Sequence, residues 1–392
     1  MKKYGIWSFI ALLALSLAVF AGCGGGGSAA KEVIIGNLQD LSGPTSVWGN
    51  AVTRGVELAI DKINGQGGLG GNKIKLITLD TKGDVQEAIK AFNRLVDQEK
   101  AVVVIGPPVS NIGIGLASIA DAKKVAFVGS FADPRATVGE DGKVHPSMFL
   151  VQPSTVQYGE IMASYAVEKL GLKKIAILYD QSNAYAVSLV APFKKYAQGA
   201  GATIVDEEVY SRGDKDFRTQ LSKIKDSGAD VVFAPNYIQE LVITAKQSSQ
   251  LGLTMPFFGA LDYAAPFASL VNDPTAANNI YFANNYSDSE PQLAEVRSAY
   301  KAKYNEDPIN KVYLGYDKML VVAEAVKLGG AATADKIIEG LSKVKGVQGT
   351  TGILTLSPQT HQPVGLSMVM YKIEQGKYID LGRYIPEKHK NQ

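Results

Sequence analysis

Short apolar runs alternate with amphipathic stretches along the chain, and this alternation constrains the possible fold more than any other feature of the sequence. The first runs are Val33–Ile35, residues 74–79, Val102–Ile105 and Val125–Val128, which have the length and composition of buried strands. Between the first two lies Asn50–Asn64, whose apolar residues recur at helical spacing. Strands that alternate with helices in this way predict a parallel sheet covered by helices on both faces.

The same alternation begins again in the second half of the chain. The predicted strands there are Ile175–Leu178, Ile204–Val209, Val231–Ala234 and Phe257–Phe258, and the predicted helices are Ala186–Gln198, Phe217–Ser227 and Gln239–Gln250. Two more helices (Gln292–Tyr304 and Val312–Leu328) and three strand-like segments (Gly352–Leu356, Leu366–Ile373 and Tyr378–Ile385) follow. Because 392 residues are too many for one ordinary core, we predict an α/β protein of two Rossmann-like, doubly wound lobes.

No Pro- or Ser-rich linker separates the two sets of elements. We therefore predict that the lobes are joined by three strand-like crossover segments, near Phe149–Pro153, Ile280–Asn284 and Gly349–Leu354. The predicted first lobe combines residues 31–150 with 283–350, and the predicted second lobe combines residues 151–282 with 351–392. A ligand cleft is expected between them, beyond the carboxyl ends of the strands.

Residues 1–22 have the pattern of a secretory signal peptide. Two lysines precede the apolar run Ile6–Ala21, which is shorter than the ~20 apolar residues that a membrane-spanning helix needs. The small residues before Cys23 resemble a bacterial lipobox, with Phe20 where leucine is usual, which predicts lipidation of Cys23. Residues 23–30 contain four consecutive glycines followed by serine and alanine, and predict a flexible tether. A plain signal peptide with an incidental cysteine is the alternative.

Composition and motifs argue against several other functions. One cysteine excludes an intrachain disulfide, and three widely separated histidines make a Cys/His metal site unexpected. The net charge is +2 with acidic and basic residues interspersed, so no nucleic-acid-binding face is predicted. The glycine cluster Gly65–Gly71 follows a helix, the wrong context for a phosphate loop, and no nucleophile-turn motif is present. We predict a binding protein without a cofactor or metal rather than an enzyme.

Several segments together resemble the branched-chain amino acid class of periplasmic binding proteins. They include GNLQDLSGPTSVWGNAVTRGVELAIDKIN, VVVIGPPVSNIGIGLASIADAKKVAFVGSFADP and KKIAILYDQSNAYAVSLVAPFKKYAQGAGATIV, and the resemblance extends from about Val33 to Ile385. It implies two Rossmann-like lobes that close on a ligand by hinge motion. It also implies a monomer in the periplasm or at the cell surface, with an ABC transporter permease as partner, and the lipid predicted on Cys23 would hold this protein at the membrane.

The resemblance assigns ligand-binding roles in the first lobe. Ser110, at the start of a helix after the strand Val102–Ile105, would hold the ligand carboxylate with its hydroxyl and amide groups, which suits an anion. Phe131 and Ala132 would contribute backbone groups. Asp133 stands where the family usually has a hydroxyl residue beside the ligand ammonium, and this departure makes the predicted site more acidic. The alternatives are a capping serine and an Asp-Pro turn.

The second lobe and one aromatic residue of the first complete the implied site. Asp262, after the strand Phe257–Gly259, would pair with the ligand ammonium, although a solvated loop aspartate is the alternative. Trp48, Tyr185 and Tyr237 would surround the ligand side chain, because aromatic residues supply rigid apolar area.

These residues suit a zwitterionic amino acid, and the aromatic walls favour leucine, isoleucine or valine. If Asp133 and Asp262 both point inward, a cationic solute such as a polyamine, an amide or a small polar amino acid is the alternative ligand. A component that presents its ligand to a sensor is the alternative function for the same fold.

Overall fold

The computed structural model describes residues 32–287, 289–364 and 367–387 of the chain. Within these residues the first lobe is built on a five-stranded, fully parallel sheet in the order β2-β1-β3-β4-β5. Its strands are β1 (Glu32–Gln39), β2 (Lys73–Asp80), β3 (Val103–Ile105), β4 (Ala126–Gly129) and β5 (Met148–Leu150). This order is one of the common doubly wound arrangements, in which the direction of winding reverses between β1 and β3.

The second lobe repeats this strand order. Its parallel strands are β6 (Lys174–Asp180), β7 (Thr203–Tyr210), β8 (Val231–Phe233), β9 (Phe257–Gly259) and β10 (Ile280–Asn284), arranged as β7-β6-β8-β9-β10. A separate hairpin consists of β11 (Val347–Gly349) and β12 (Gly352–Leu354). Beside β10, two antiparallel strands extend the second sheet, β13 (Met368–Glu374) and β14 (Lys377–Tyr384). The two parallel sheets therefore have corresponding switch points, β1/β3 and β6/β8.

Helices cover both sheets, and most of them lie where the periodicity predicts. They are α1 (Ser46–Gly65), α2 (Val85–Asn93), α3 (Ser110–Lys123), α4 (Thr155–Ser164), α5 (Ala184–Gly199), α6 (Arg218–Asp226), α7 (Ile238–Gln250), α8 (Phe267–Val271), α9 (Ala294–Tyr304), α10 (Asn310–Gly329) and α11 (Ala334–Leu341). Single π-helical turns at Arg94–Gln98 and Tyr165–Lys169 continue α2 and α4. In the described part of the chain, no helix is long and apolar enough to cross a membrane.

The predicted two-lobed α/β fold is confirmed. The described chain leaves the first lobe after β5, packs on the core of that lobe again after β10 and enters the second sheet again at β13. The chain passes from the first lobe to the second for the last time later than the sequence suggests, because Leu354 and Leu356 are buried in the core of the first lobe. Residues 351–356, which the sequence analysis assigns to the second lobe, therefore pack on the first.

Helices α1 and α10 approach each other closely through two glycines. A Cβ atom on Gly55 of α1 would overlap the carbonyl oxygen of Val312, and one on Gly315 of α10 would overlap that of Val52. Only glycine allows the two backbones to lie at this separation. Because α1 carries Trp48 in its first turn, this contact fixes that residue relative to the start of α10.

Candidate ligand-binding site

The candidate site lies where the two switch points face each other. Trp48, Ser110 and the Phe131–Asp133 segment follow β1, β3 and β4 in the first lobe. The corresponding loops of the second lobe carry the remaining predicted residues, Tyr185, Tyr237 and Asp262. Carboxyl ends of strands at a switch point are the usual place for ligands in open α/β sheets, so the positions agree with a cleft between the lobes.

Ser110 is buried at the first turn of α3 and contacts both walls of the cleft. Its Oγ accepts a hydrogen bond of 3.2 Å from the Asp133 amide, and its own amide donates to Tyr237 Oη at 3.4 Å. The amides of a helix N-terminus carry partial positive charge and favour an anion. The Tyr237 hydroxyl of the second lobe therefore occupies the acceptor position at the Ser110 amide.

In the Phe131–Asp133 segment, the Ala132 carbonyl accepts from the Thr155 amide at 2.8 Å, and the aspartate is already paired. The Phe131 ring is buried in the core of the first lobe and stacks on Phe127 with ring centroids 5.9 Å apart. The Asp133 carboxylate is fully buried and accepts hydrogen bonds from Arg135 Nη2 at 2.6 Å and Nε at 3.1 Å. The extra acidity expected from Asp133 is thus offset by an arginine two residues further along the same turn.

Aromatic side chains of both lobes meet over Ser110. Trp48 contacts Tyr237 edge-to-face with ring centroids 5.3 Å apart, and Tyr185 stacks on Tyr237 at 5.5 Å. All three are nearly inaccessible to solvent. Burial, the nearby charge of Asp262 and a hydrogen-bonding interaction with that carboxylate raise the pKa of the Tyr185 hydroxyl well above its usual value.

Asp262 is buried next to a lysine that the sequence analysis did not identify. The carboxylate lies in the 3₁₀ turn Leu261–Tyr263 with 5% of its surface exposed, and burial raises its pKa. Lys311, in the first turn of α10 and 2% exposed, places Nζ 3.7 Å from Asp262 Oδ1 and 4.8 Å from the centre of the Trp48 ring. A lysine in the first turn of a helix is unfavourable because its charge opposes the helix dipole. This unusual position is the feature of the sequence that could have drawn attention to Lys311.

A second buried amine lies on the same helix. Lys318 Nζ donates to the Gly106 carbonyl at 2.8 Å, at the end of β3, and the side chain is fully buried. Burial, with a smaller effect of Lys311, lowers the pKa of Lys318 well below its usual value. Lys311 and Lys318 are separated by about two helical turns and thus lie on the same side of α10.

Direct hydrogen bonds join the lobes at the rim of the cleft. Asn111 Nδ2 donates to the Ser182 carbonyl at 3.4 Å, and Asn111 Oδ1 accepts from the Ala184 amide at 3.1 Å. Asn310 Nδ2 donates to the Leu261 carbonyl at 3.3 Å on the other side. The two lobes are therefore in direct contact across the cleft. Among the residues described, no group of three or more His, Cys, Asp or Glu side chains could hold a metal ion.

Fold and site together define a two-lobed solute-binding protein, and comparison with known proteins gives its family. A family model described as periplasmic binding protein matches residues 32–377, so the chain belongs to the periplasmic binding protein family. The Leu/Ile/Val-binding protein homolog 3 of Brucella melitensis is 26% identical over 371 residues, 94% of this chain and 98% of that protein. An amino acid binding protein of Pseudomonas aeruginosa is 32% identical over 244 residues, 62% of this chain and 64% of that protein.

Solved structures agree with the family. The branched-chain amino acid transporter substrate binding protein LivJ of Streptococcus pneumoniae, in complex with isoleucine, superposes with a TM-score of 0.80 at 28% identity. The match covers 90% of this chain and 99% of that one. These proteins are substrate-binding proteins, not enzymes, and membership of the family places this chain outside the cytoplasm.

Proposed function

We propose that this protein captures a small apolar carboxylate of the size of a branched-chain amino acid and delivers it to the permease of an ABC transporter. The proposal rests on the hydrogen bond between Ser110 and Tyr237 across the cleft. This contact places the N-terminus of α3, which favours an anion, next to the aromatic side chains of Trp48, Tyr185 and Tyr237. The names of the relatives support an amino acid as the first candidate, which is also the ligand class that the sequence predicts.

Binding proceeds by hinge closure. In the open form the solute carboxylate docks on the hydroxyl and the amide of Ser110, and the rings of Tyr185 and Tyr237 then close over the apolar end. The solute favours the closed form only to the extent that it makes better contacts there. The permease recognises the closed shape, and we propose that the protein performs this step as a monomer.

Replacement of Ser110 by alanine is expected to weaken solute binding about tenfold, the effect of losing one hydrogen bond to a charged group. The hydroxyl also accepts from the Asp133 amide and so holds the neighbouring loop. Isothermal titration calorimetry with leucine, isoleucine, valine and their deaminated analogues measures the change. Ser222→Ala, at an exposed position of α6, is the matched control. Equal affinities for the Ser110 variant and the wild type would contradict the assigned carboxylate site.

Lipid anchoring at Cys23 is a separate part of the proposal. Cys23 and the signal peptide at residues 1–22 lie outside the described residues. We expect the wild-type chain to fractionate with membranes and Cys23→Ser to be released into the soluble extracytoplasmic fraction, because the variant cannot carry the lipid. Equal membrane association of both proteins would show that Cys23 is incidental.

A further inference from the structure

Both acids that the sequence assigns to a ligand ammonium already have a cationic partner within the chain. Asp133 is bound by the guanidinium of Arg135 through Nε and Nη2. Asp262 faces the ammonium of Lys311 at 3.7 Å, with both side chains almost completely buried. A carboxylate buried beside a fixed cation has much of its charge compensated before a solute enters.

Lys311 has the surroundings expected for a ligand ammonium. Its Nζ lies beside a buried carboxylate and 4.8 Å from the centre of the Trp48 ring, and aromatic faces attract cations. The separation of 3.7 Å from Asp262 exceeds the usual length of a direct N–H···O hydrogen bond. Donor capacity of the ammonium therefore remains for an acceptor on the solute.

We propose that the cleft selects carboxylates that lack an α-ammonium group, keto acids above all, and that Lys311 determines this selectivity. This inference rests on the proposed function and refines its ligand class. An amino acid would place a second ammonium against the single carboxylate of Asp262, where two buried cations share one anion. A carbonyl oxygen at the same position accepts a hydrogen bond from Lys311 instead.

A second lysine of α10 also disfavours an ammonium group on the solute. Lys318, about two turns further along the same side of the helix, is a second buried amine, bonded to the carbonyl of Gly106. Burial lowers the pKa of both lysines, and Lys311 lowers that of Lys318 further. A positive charge on either buried amine disfavours a further ammonium on a solute.

The test compares two matched pairs of ligands by isothermal titration calorimetry. The pairs are leucine with ketoleucine and valine with ketovaline, in which a carbonyl replaces the α-amino group. We expect the wild-type protein to bind each keto acid at least about tenfold more tightly than its amino acid. In Lys311→Met the ratio is expected to shift by at least about tenfold toward the amino acid, because Asp262 loses its built-in cation.

Lys327→Met is the matched control, since Lys327 lies on the exposed side of α10 beside Glu324 and should keep the wild-type ratio. Tighter binding of the amino acids by the wild-type protein would overturn this inference and leave the proposed function standing. An unchanged affinity ratio in a folded Lys311→Met protein would also overturn the inference and leave the proposed function standing. If Lys311→Met fails to fold, the affinity ratio of the wild-type protein tests the inference by itself. Binding of none of the four ligands would overturn the proposed ligand class and the inference together.

Discussion

Replacement of Asp317 by alanine is expected to lower the free energy of unfolding by about 3–5 kcal/mol, the cost of breaking a buried charged network. The Asp317 carboxylate, fully buried on α10, accepts hydrogen bonds from the amides and hydroxyls of Thr350 and Thr351 at 2.6 to 2.8 Å. Alanine leaves both amides without this acceptor, while the Thr350 hydroxyl keeps the Tyr313 carbonyl oxygen at 3.3 Å. The segment between β11 and β12 would then lose its attachment to the first lobe.

Urea denaturation followed by circular dichroism measures this loss. Asp273→Ala is the matched control, because Asp273 also accepts from the amide and hydroxyl of one threonine, Thr275, but at the surface. There water replaces the lost partner, and we expect a change below about 1 kcal/mol. Similar losses for both variants would contradict the structural role of Asp317.

Replacement of Gly55 by alanine is expected to cost about 2–3 kcal/mol, within the range measured for overpacked interiors. The new Cβ atom would overlap the Val312 carbonyl oxygen, so α1 and α10 must separate. Separation also displaces Trp48 from Lys311, because the two helices carry these side chains. Solute affinity should therefore fall together with stability.

Gly65→Ala provides the control for this second variant. Gly65 is the last residue of the same helix, and a Cβ atom there meets no neighbour. Alanine should leave stability unchanged or raise it by up to about 1 kcal/mol, since it favours the helical backbone. Urea denaturation and calorimetry of the two variants check the pair. If the Gly55→Ala protein were as stable as the Gly65→Ala protein, the close contact between α1 and α10 at Gly55 would not contribute to stability.

The parallel sheets could be predicted because their strands are continuous apolar runs separated by helical periodicity. Elements without such a pattern were missed. Met148–Leu150 forms β5 with three residues, too short to be distinguished from a crossover segment. Helix α4 is buried on most of its surface and contains Gly159, so it shows no clear amphipathic stripe. Helix α11 has only eight residues.

The candidate site was predictable in position but not in its electrostatics. Residues that follow strands are brought together by any doubly wound sheet, which is why Ser110 and Tyr237 could be assigned to facing walls. The partner of Asp262 could not be inferred, because Lys311 comes from a distant segment that only the packing of α10 brings to the cleft. Arg135, in contrast, lies two residues beyond Asp133, and its pairing with that carboxylate is local.

A crystal structure of the protein with a solute that binds in calorimetry tests the central claim most directly. We expect the solute to lie between the lobes, with its carboxylate about 3 Å from the Ser110 amide and its apolar end between Tyr185 and Tyr237. A solute bound elsewhere, for example in the surface groove of the second lobe beside Ser248 and Asn278, with the cleft residues still in mutual contact, would contradict it.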